Sequence, residues 1–121
     1  MSRDETAIEA EIQAKGKTAP RLTPQHISDQ IIAEYSFRAS DAINKGAPVT
    51  PEIQRSLSCL TICVIVLKNG FTLIGESACA SPENFDADIG HKIARDNARN
   101  KIWQLEGYVL RSALAHDARH K

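Results

Sequence analysis

From Leu60 to Leu67 almost every side chain is apolar: Leu60, Ile62, Val64 and Val66 alternate with Thr61, Cys63, Ile65 and Leu67. Both series are β-prone, so the pattern predicts a strand covered on both faces. Lys68-Asn69-Gly70-Phe71 follows. Asn-Gly is a strong hairpin signal because both residues tolerate positive φ. A returning strand alternates Phe71, Leu73 and Gly75 with Thr72, Ile74 and Glu76 and fades near Ser77 to Ala80. No third strand stands out. An isolated hairpin is marginal in water, so helices or another chain must cover it.

Elsewhere the period lengthens. Thr23-Pro24 reads as an N-cap followed by proline at the first helical position. Ile27, Ile31, Ile32 and Tyr35 then recur at helical spacing, predicting a helix from Pro24 to about Phe37. Ala39 to Val49, with Asn44, Gly46 and Pro48, reads as a loop or a short frayed helix. Thr50-Pro51 repeats the capping logic and predicts a short helix to about Leu57 that carries Arg55 outward. Ser81-Pro82 or Asn84 opens a last helix, proline-free to about His116. One of its stripes, Ala94, Ala98, Ile102, Leu105, Val109 and Ala113, is expected to lie on the hairpin. A second stripe, Ile89, Ile93, Trp103, Leu110 and Leu114, points to a subunit contact or to cover by the helix that starts at Pro24. Residues 1–20, with Ile8 and Ile12 four apart, read as a short helical arm or a mobile, partner-docked tail. The expected fold is α+β: a small antiparallel sheet centred on the hairpin, packed against a long C-terminal helix, with one or two short N-terminal helices. Residues 1–20 form an arm, and residues 21–121 a single ligand-binding and oligomerisation domain.

Composition narrows the function. A chain of 121 residues fits one domain, and 15 basic against 15 acidic residues leave no global field to steer it onto DNA or an anionic membrane. Any anion site must be local. Only 5% of residues are aromatic, so a small aliphatic core gains from burying more surface in an oligomer. The run at Leu60 to Leu67 is far shorter than the roughly 20 residues that span a bilayer. No continuous apolar segment marks a signal peptide before Lys17, and three cysteines are an odd number, so a cytoplasmic protein with reduced thiols is expected.

Lys92, Arg95 and Arg99 fall three and four apart near a helix start, where free N–H groups favour a phosphate. Nearby Phe85 suits stacking on a purine or ribose. The competing reading is a solvated face neutralised by Asp88, Asp96 and Glu106. Cys59 and Cys63 share a strand face at roughly 13 Å and cannot hold one zinc. Cys79 is isolated in sequence, and His116 and His120 sit on a fraying tail without a third ligand. Ser77, Ser81, Cys79 and His91 lie close in sequence but show no nucleophile elbow. Glu83, Asp86 and Asp88 suit capping, and Gly70, Gly75 and Gly90 are too dispersed for a phosphate loop. Neither an enzyme, a metal nor a cofactor is expected.

The hairpin over 60–78, the loop Glu83-Asn84-Phe85-Asp86 and the helical segment Lys101 to Tyr108 resemble a widespread family of small phage proteins of the N4/Sf6 early-gene type. The resemblance covers Thr23 to Leu114. The family is identified as including the anti-Thoeris Tad sponges of the first kind. Membership implies a non-enzymatic anti-defence protein in the cytoplasm of the infected bacterial host, a homo-oligomer (dimer or hexamer) that sequesters a cyclic nucleotide signal. That signal would be a cyclic ADP-ribose isomer of Thoeris or a cyclic oligonucleotide of CBASS. Asn84 and Phe85 would read or stack the base, Arg95 and Arg99 hold the diphosphate, and Arg55 serve a further anion site. The rival reading is a small phage regulatory or structural protein that binds a host protein.

Overall fold

The computed structural model describes residues 4–17 and 19–119; His120 lies outside them. Helix α1 (Glu5–Ala14) is capped by the Asp4 carboxylate, and α2 (Pro24–Asp29) by the Thr23 hydroxyl, which accepts from the His26 amide. Strand β1 (Ile31–Arg38) leads into a 3-10 turn at Ala39–Ala42. Helix α3 (Pro51–Leu57), capped by Thr50, runs into β2 (Leu60–Leu67), and the hairpin returns as β3 (Thr72–Ala78). A 3-10 turn at Pro82–Asn84 precedes α4 (Ala87–Arg119), 33 residues long. The three strands form one antiparallel sheet in the order β1-β2-β3, so the expected α+β fold stands. Among the described residues no helix is long and apolar enough to cross a membrane.

The helix expected from Pro24 to Phe37 is corrected: it stops at Asp29, and the missing third strand is the segment after it. Glu34, Ser36 and Arg38 alternate with Ala33, Tyr35 and Phe37, a period of two that competes with the helical spacing of Ile27, Ile31 and Tyr35. Tertiary pairing decides between them. The Gln30 carbonyl accepts the Lys68 amide at 2.9 Å, and beyond it Tyr35 pairs with Val64 and Phe37 with Ile62. A bulge between Ile31 and Ala33 joins the two registers.

The hairpin turn also differs from expectation. Only Gly70 has positive φ, at 87°. The Gly70 amide bonds the Leu67 carbonyl and the Leu67 amide bonds the Phe71 carbonyl, both at 2.9 Å, while the Asn69 side chain accepts from the Phe71 amide. This is a turn closed by a glycine bulge, in which asparagine contributes a side-chain bond rather than a left-handed backbone.

One sheet face is sealed by α4. Ala94, Ala98 and Ile102 have no exposed surface and pack with Cys63, Ile65, Leu67, Leu73 and Ile27. Small residues make the approach close: a Cβ on Gly75 would lie 2.2 Å from the Ala94 carbonyl oxygen. The stripe does not follow the sheet to its end, because Leu105 and Val109 are 38% and 58% exposed. A 33-residue helix is about 50 Å long against about 26 Å for an eight-residue strand, so the later half of α4 outruns the sheet. From the second stripe, Ile89 and Ile93 are exposed, whereas Trp103 packs on the core and its indole N–H reaches Glu5 at 3.3 Å. Trp103 is thus used inside the chain, on the core cluster that includes Ile27 of α2 and with its indole N–H on α1. Arg21 clamps α1 as well, with two bonds to Glu9 of 2.7 and 2.8 Å.

Candidate functional site

The segment Glu83-Asn84-Phe85-Asp86 is a connector with a separate task for each side chain. Asp86 accepts the amides of Asp88 and Ile89, both at 3.0 Å, and so caps α4. The Glu83 carboxylate lies 3.1 Å from Arg55, and its own backbone amide, then Arg55, hold it below the usual carboxylate range. The Asn84 and Phe85 amides close the 3-10 turn on Ser81 and Pro82. Phe85 carries the Arg38 guanidinium over its ring, 3.6 Å from the centroid. Arg38 is positioned from β1 and also donates through Nε to the Ser58 carbonyl.

Beside this stack opens a pocket of about 460 Å³ lined by Ser36, Phe37, Arg38, Asp41, Phe85 and His91. With Thr61, which also lines it, the pocket holds one guanidinium, two aromatic rings, an imidazole, two hydroxyls and a carboxylate, a set able to take a base, a ribose edge and a phosphate. Asn84 faces a separate, smaller cavity of about 110 Å³ that Phe85 also borders. A larger depression, about 580 Å³, lies between the hairpin and the later part of α4, lined by Leu67, Phe71, Leu73, Leu105 and Val109. It suits an anion poorly, since its one lysine, Lys101, donates to the Ile74 carbonyl at 2.6 Å.

The three expected arginine contacts are already engaged. Arg95 pairs with Glu34 at 3.0 Å. Arg99 is buried, donating through Nε to Glu5 and through one terminal nitrogen to the Pro24 carbonyl and the Ser28 hydroxyl at 2.9 and 3.0 Å. It joins α1, α2 and α4. Arg95 and Arg99 do border one shallow depression, but Asp4, Glu5 and Asp96 share it, leaving no surplus of positive charge. Lys92 pairs with Asp88 at 3.2 Å, and Arg55 with Glu83.

Sequence reasoning missed Ser36 and Phe37, which fall in the segment read as helix, and Arg38, which falls just past its expected end. The alternation from Ala33 to Arg38 was the available signal. It also missed the partner of His91, whose Nδ1 meets the Ser36 hydroxyl across β1 and α4. The other ring nitrogen stands 3.7 Å from Glu34, beyond hydrogen-bond reach, and Glu34 faces Arg95 instead. The imidazole is therefore bracketed rather than oriented as a base. Burial raises the Cys59 and Cys63 thiols above their ordinary values, which keeps them protonated. Cys79, isolated in sequence, lies beside Cys59 across the β2–β3 ladder, its amide 3.0 Å from the Cys59 carbonyl. Among the described residues no three His, Cys, Asp or Glu side chains converge on a metal-sized site.

Comparison with curated proteins and with solved structures finds no match. A family model does match, over residues 22–114. That span begins just before the α2 cap and ends on α4, so it takes in the whole sheet, the connector and the Arg38–Phe85 pocket. The chain belongs to the phage protein (N4 Gp49/phage Sf6 gene 66) family.

Proposed function

We propose that the protein sequesters a cyclic nucleotide-derived immune signal in the infected host, a cyclic ADP-ribose isomer or a cyclic oligonucleotide, and releases it unaltered. This is the anti-defence role of the Tad sponges that the chain resembles. The observation that carries the reading is the Arg38–Phe85 stack at the pocket of about 460 Å³, a volume within the range of small-molecule sites. A guanidinium lying on a ring keeps its outer face for a base and its edge for a phosphate. Asp41 accepts from ribose hydroxyls or an exocyclic amine, and His91 and Ser36 supply further polar contacts. Arg55, exposed in its pair with Glu83, is the cation most easily recruited by a second anion, whereas Arg99 would have to leave a buried carboxylate.

Calorimetric titration with cyclic ADP-ribose isomers and cyclic trinucleotides tests the proposal. At least one ligand should bind, and Arg38→Ala and Phe85→Ala should each weaken it tenfold or more, about 1.4 kcal/mol. Arg38→Lys should recover only part of the loss, because a point charge cannot stack. Absence of binding by every ligand would refute the reading and favour a host-protein partner.

A further inference from the structure

Two thiols meet at the open end of the hairpin. The register of β2 on β3, Leu60 opposite Ala78 and Thr61 opposite Ser77, extends one step further to set Cys59 opposite Cys79, whose amide bonds the Cys59 carbonyl at 3.0 Å. Directly opposed residues of an antiparallel ladder share a face, and in a hydrogen-bonded pair their Cα atoms lie about 5.5 Å apart. Disulfides span Cα separations of about 4.4–6.8 Å. Their Cβ atoms must close from about 5.5 to about 4.5 Å. Both cysteines lie just outside the regular strands, Cys59 in the turn after α3 and Cys79 in the irregular segment after β3, where the backbone can supply that movement. Burial raises the Cys59 thiol, and the Cys79 sulfur beside it raises it further. The two border the cavity of about 110 Å³ under the connector, Cys59 buried and Cys79 half-buried. Among the described residues no further His, Cys, Asp or Glu joins them to complete a metal site. Cys63, on the same face of β2, is fully buried opposite Gly75 and roughly 13 Å from Cys59, too far to compete.

We propose that Cys59 and Cys79 form a redox site, a dithiol that closes to an intrachain disulfide by exchange with a disulfide of the glutathione class. Cys79, the more accessible of the two, attacks one sulfur of the oxidant as a thiolate and expels the other as a thiolate. The Cys59 sulfur, having lost its proton to water, then attacks Cys79 in the mixed disulfide and expels the second thiolate. Two electrons pass from the protein to the oxidant, and the two protons end on the two released thiols. In a reducing compartment the pair rests as thiols, and disulfides formed there are transient and redox-sensing. Closure forfeits only the weak bond from the Cys59 thiol to the Arg55 carbonyl, at 3.7 Å. It fastens the turn whose Ser58 carbonyl holds Arg38 to the connector that carries Phe85. Neither exchange step depends on the ligand reading.

The test equilibrates the full folded chain in buffers of graded reduced to oxidised glutathione, quenches with acid, alkylates the free thiols and maps the peptides by mass spectrometry. A parallel series is run in concentrated urea. The folded parent should form one disulfide, Cys59 to Cys79, with Cys63 recovered alkylated. Its equilibrium constant for closure should exceed that of the unfolded chain tenfold or more, about 30 mV in potential, because the fold sets the two thiols together. Cys59→Ser, its folding verified by circular dichroism, should leave Cys79 as a glutathione mixed disulfide only. A folded parent that stays reduced or carries only mixed disulfides at the most oxidising ratio would overturn the proposal. So would an intrachain disulfide to Cys63, or equal closure constants for the folded and unfolded chains.

Discussion

Gly75→Ala probes the contact that holds α4 on the sheet. The added Cβ would lie 2.2 Å from the Ala94 carbonyl oxygen and 2.2 Å from the Ala98 amide nitrogen, whereas ordinary contact begins at 3.4 Å. Both obstacles are helix backbone, which no rotamer change can move. Helix α4 must therefore retreat by roughly 1.2 Å. A gap of about 0.5–1 Å already forfeits a quarter to a half of each dispersion contact, and the contacts at stake are those of Ala94, Ala98 and Ile102, all fully buried. Overpacking costs about 1–3 kcal/mol, and this site belongs at the upper end. Gly75 does not need positive φ, so alanine regains about 0.4–1 kcal/mol through the unfolded chain. The expected net loss is about 2–3 kcal/mol. With a urea slope of about 1–3 kcal/mol/M, the midpoint followed by Trp103 fluorescence should fall by about 1–2 M. Gly90→Ala should cost less, since its Cβ meets the Thr61 hydroxyl, a side chain able to rotate. A Gly75→Ala midpoint within error of the parent, or a larger loss at Gly90 than at Gly75, would refute the reasoning.

Arg99→Ala should act on stability first: it removes the guanidinium from the Glu5 carboxylate and from the Pro24 carbonyl, with an expected loss of about 2–4 kcal/mol and faster amide exchange throughout α1. Unchanged exchange in α1 would show that Arg99 does not dock it. The Glu9 carboxyl is drawn down from 4.5 to about 2, chiefly by its hydrogen bonds from Arg21. Its folded form thus holds fewer protons than the unfolded chain, so this clamp is fully effective above about pH 4.5 and is lost as pH falls toward 2. Proteolytic release of α1 should rise over that window and become flatter in Glu9→Gln; identical profiles would contradict the assignment.

How much of this was legible in the sequence depended on whether the signal was local. Thr50-Pro51, Thr23-Pro24 and the Asn69-Gly70 turn each act within a few residues, and both helices start, and the hairpin turns, where the sequence places them. Residues 31–37 read as helix because Ile27, Ile31 and Tyr35 satisfy a helical spacing, while the competing alternation gains stability only from pairing with β2, some 30 positions away. The site suffered from the same error. Phe85 stood out as an aromatic residue in a capping loop, but Arg38 reaches it from the misread strand. Arg95 and Arg99 were correctly placed on one side of α4, yet a helical wheel cannot show that Glu34 and Glu5 arrive from other elements to neutralise them.

Sequestration without cleavage is tested most directly by recovery of the signal. Cyclic ADP-ribose isomers and cyclic trinucleotides are incubated with a molar excess of protein, the unbound fraction is measured, and the protein is then denatured by heat and the released nucleotide weighed by mass spectrometry. At least one signal should disappear from solution in fixed proportion to protein and return quantitatively at its original mass, with Arg38→Ala and Phe85→Ala retaining less of it. Return of an altered mass, or loss of more than one equivalent per site, would contradict the account and make Ser36 and His91 reacting groups. A signal that never leaves solution would contradict it equally.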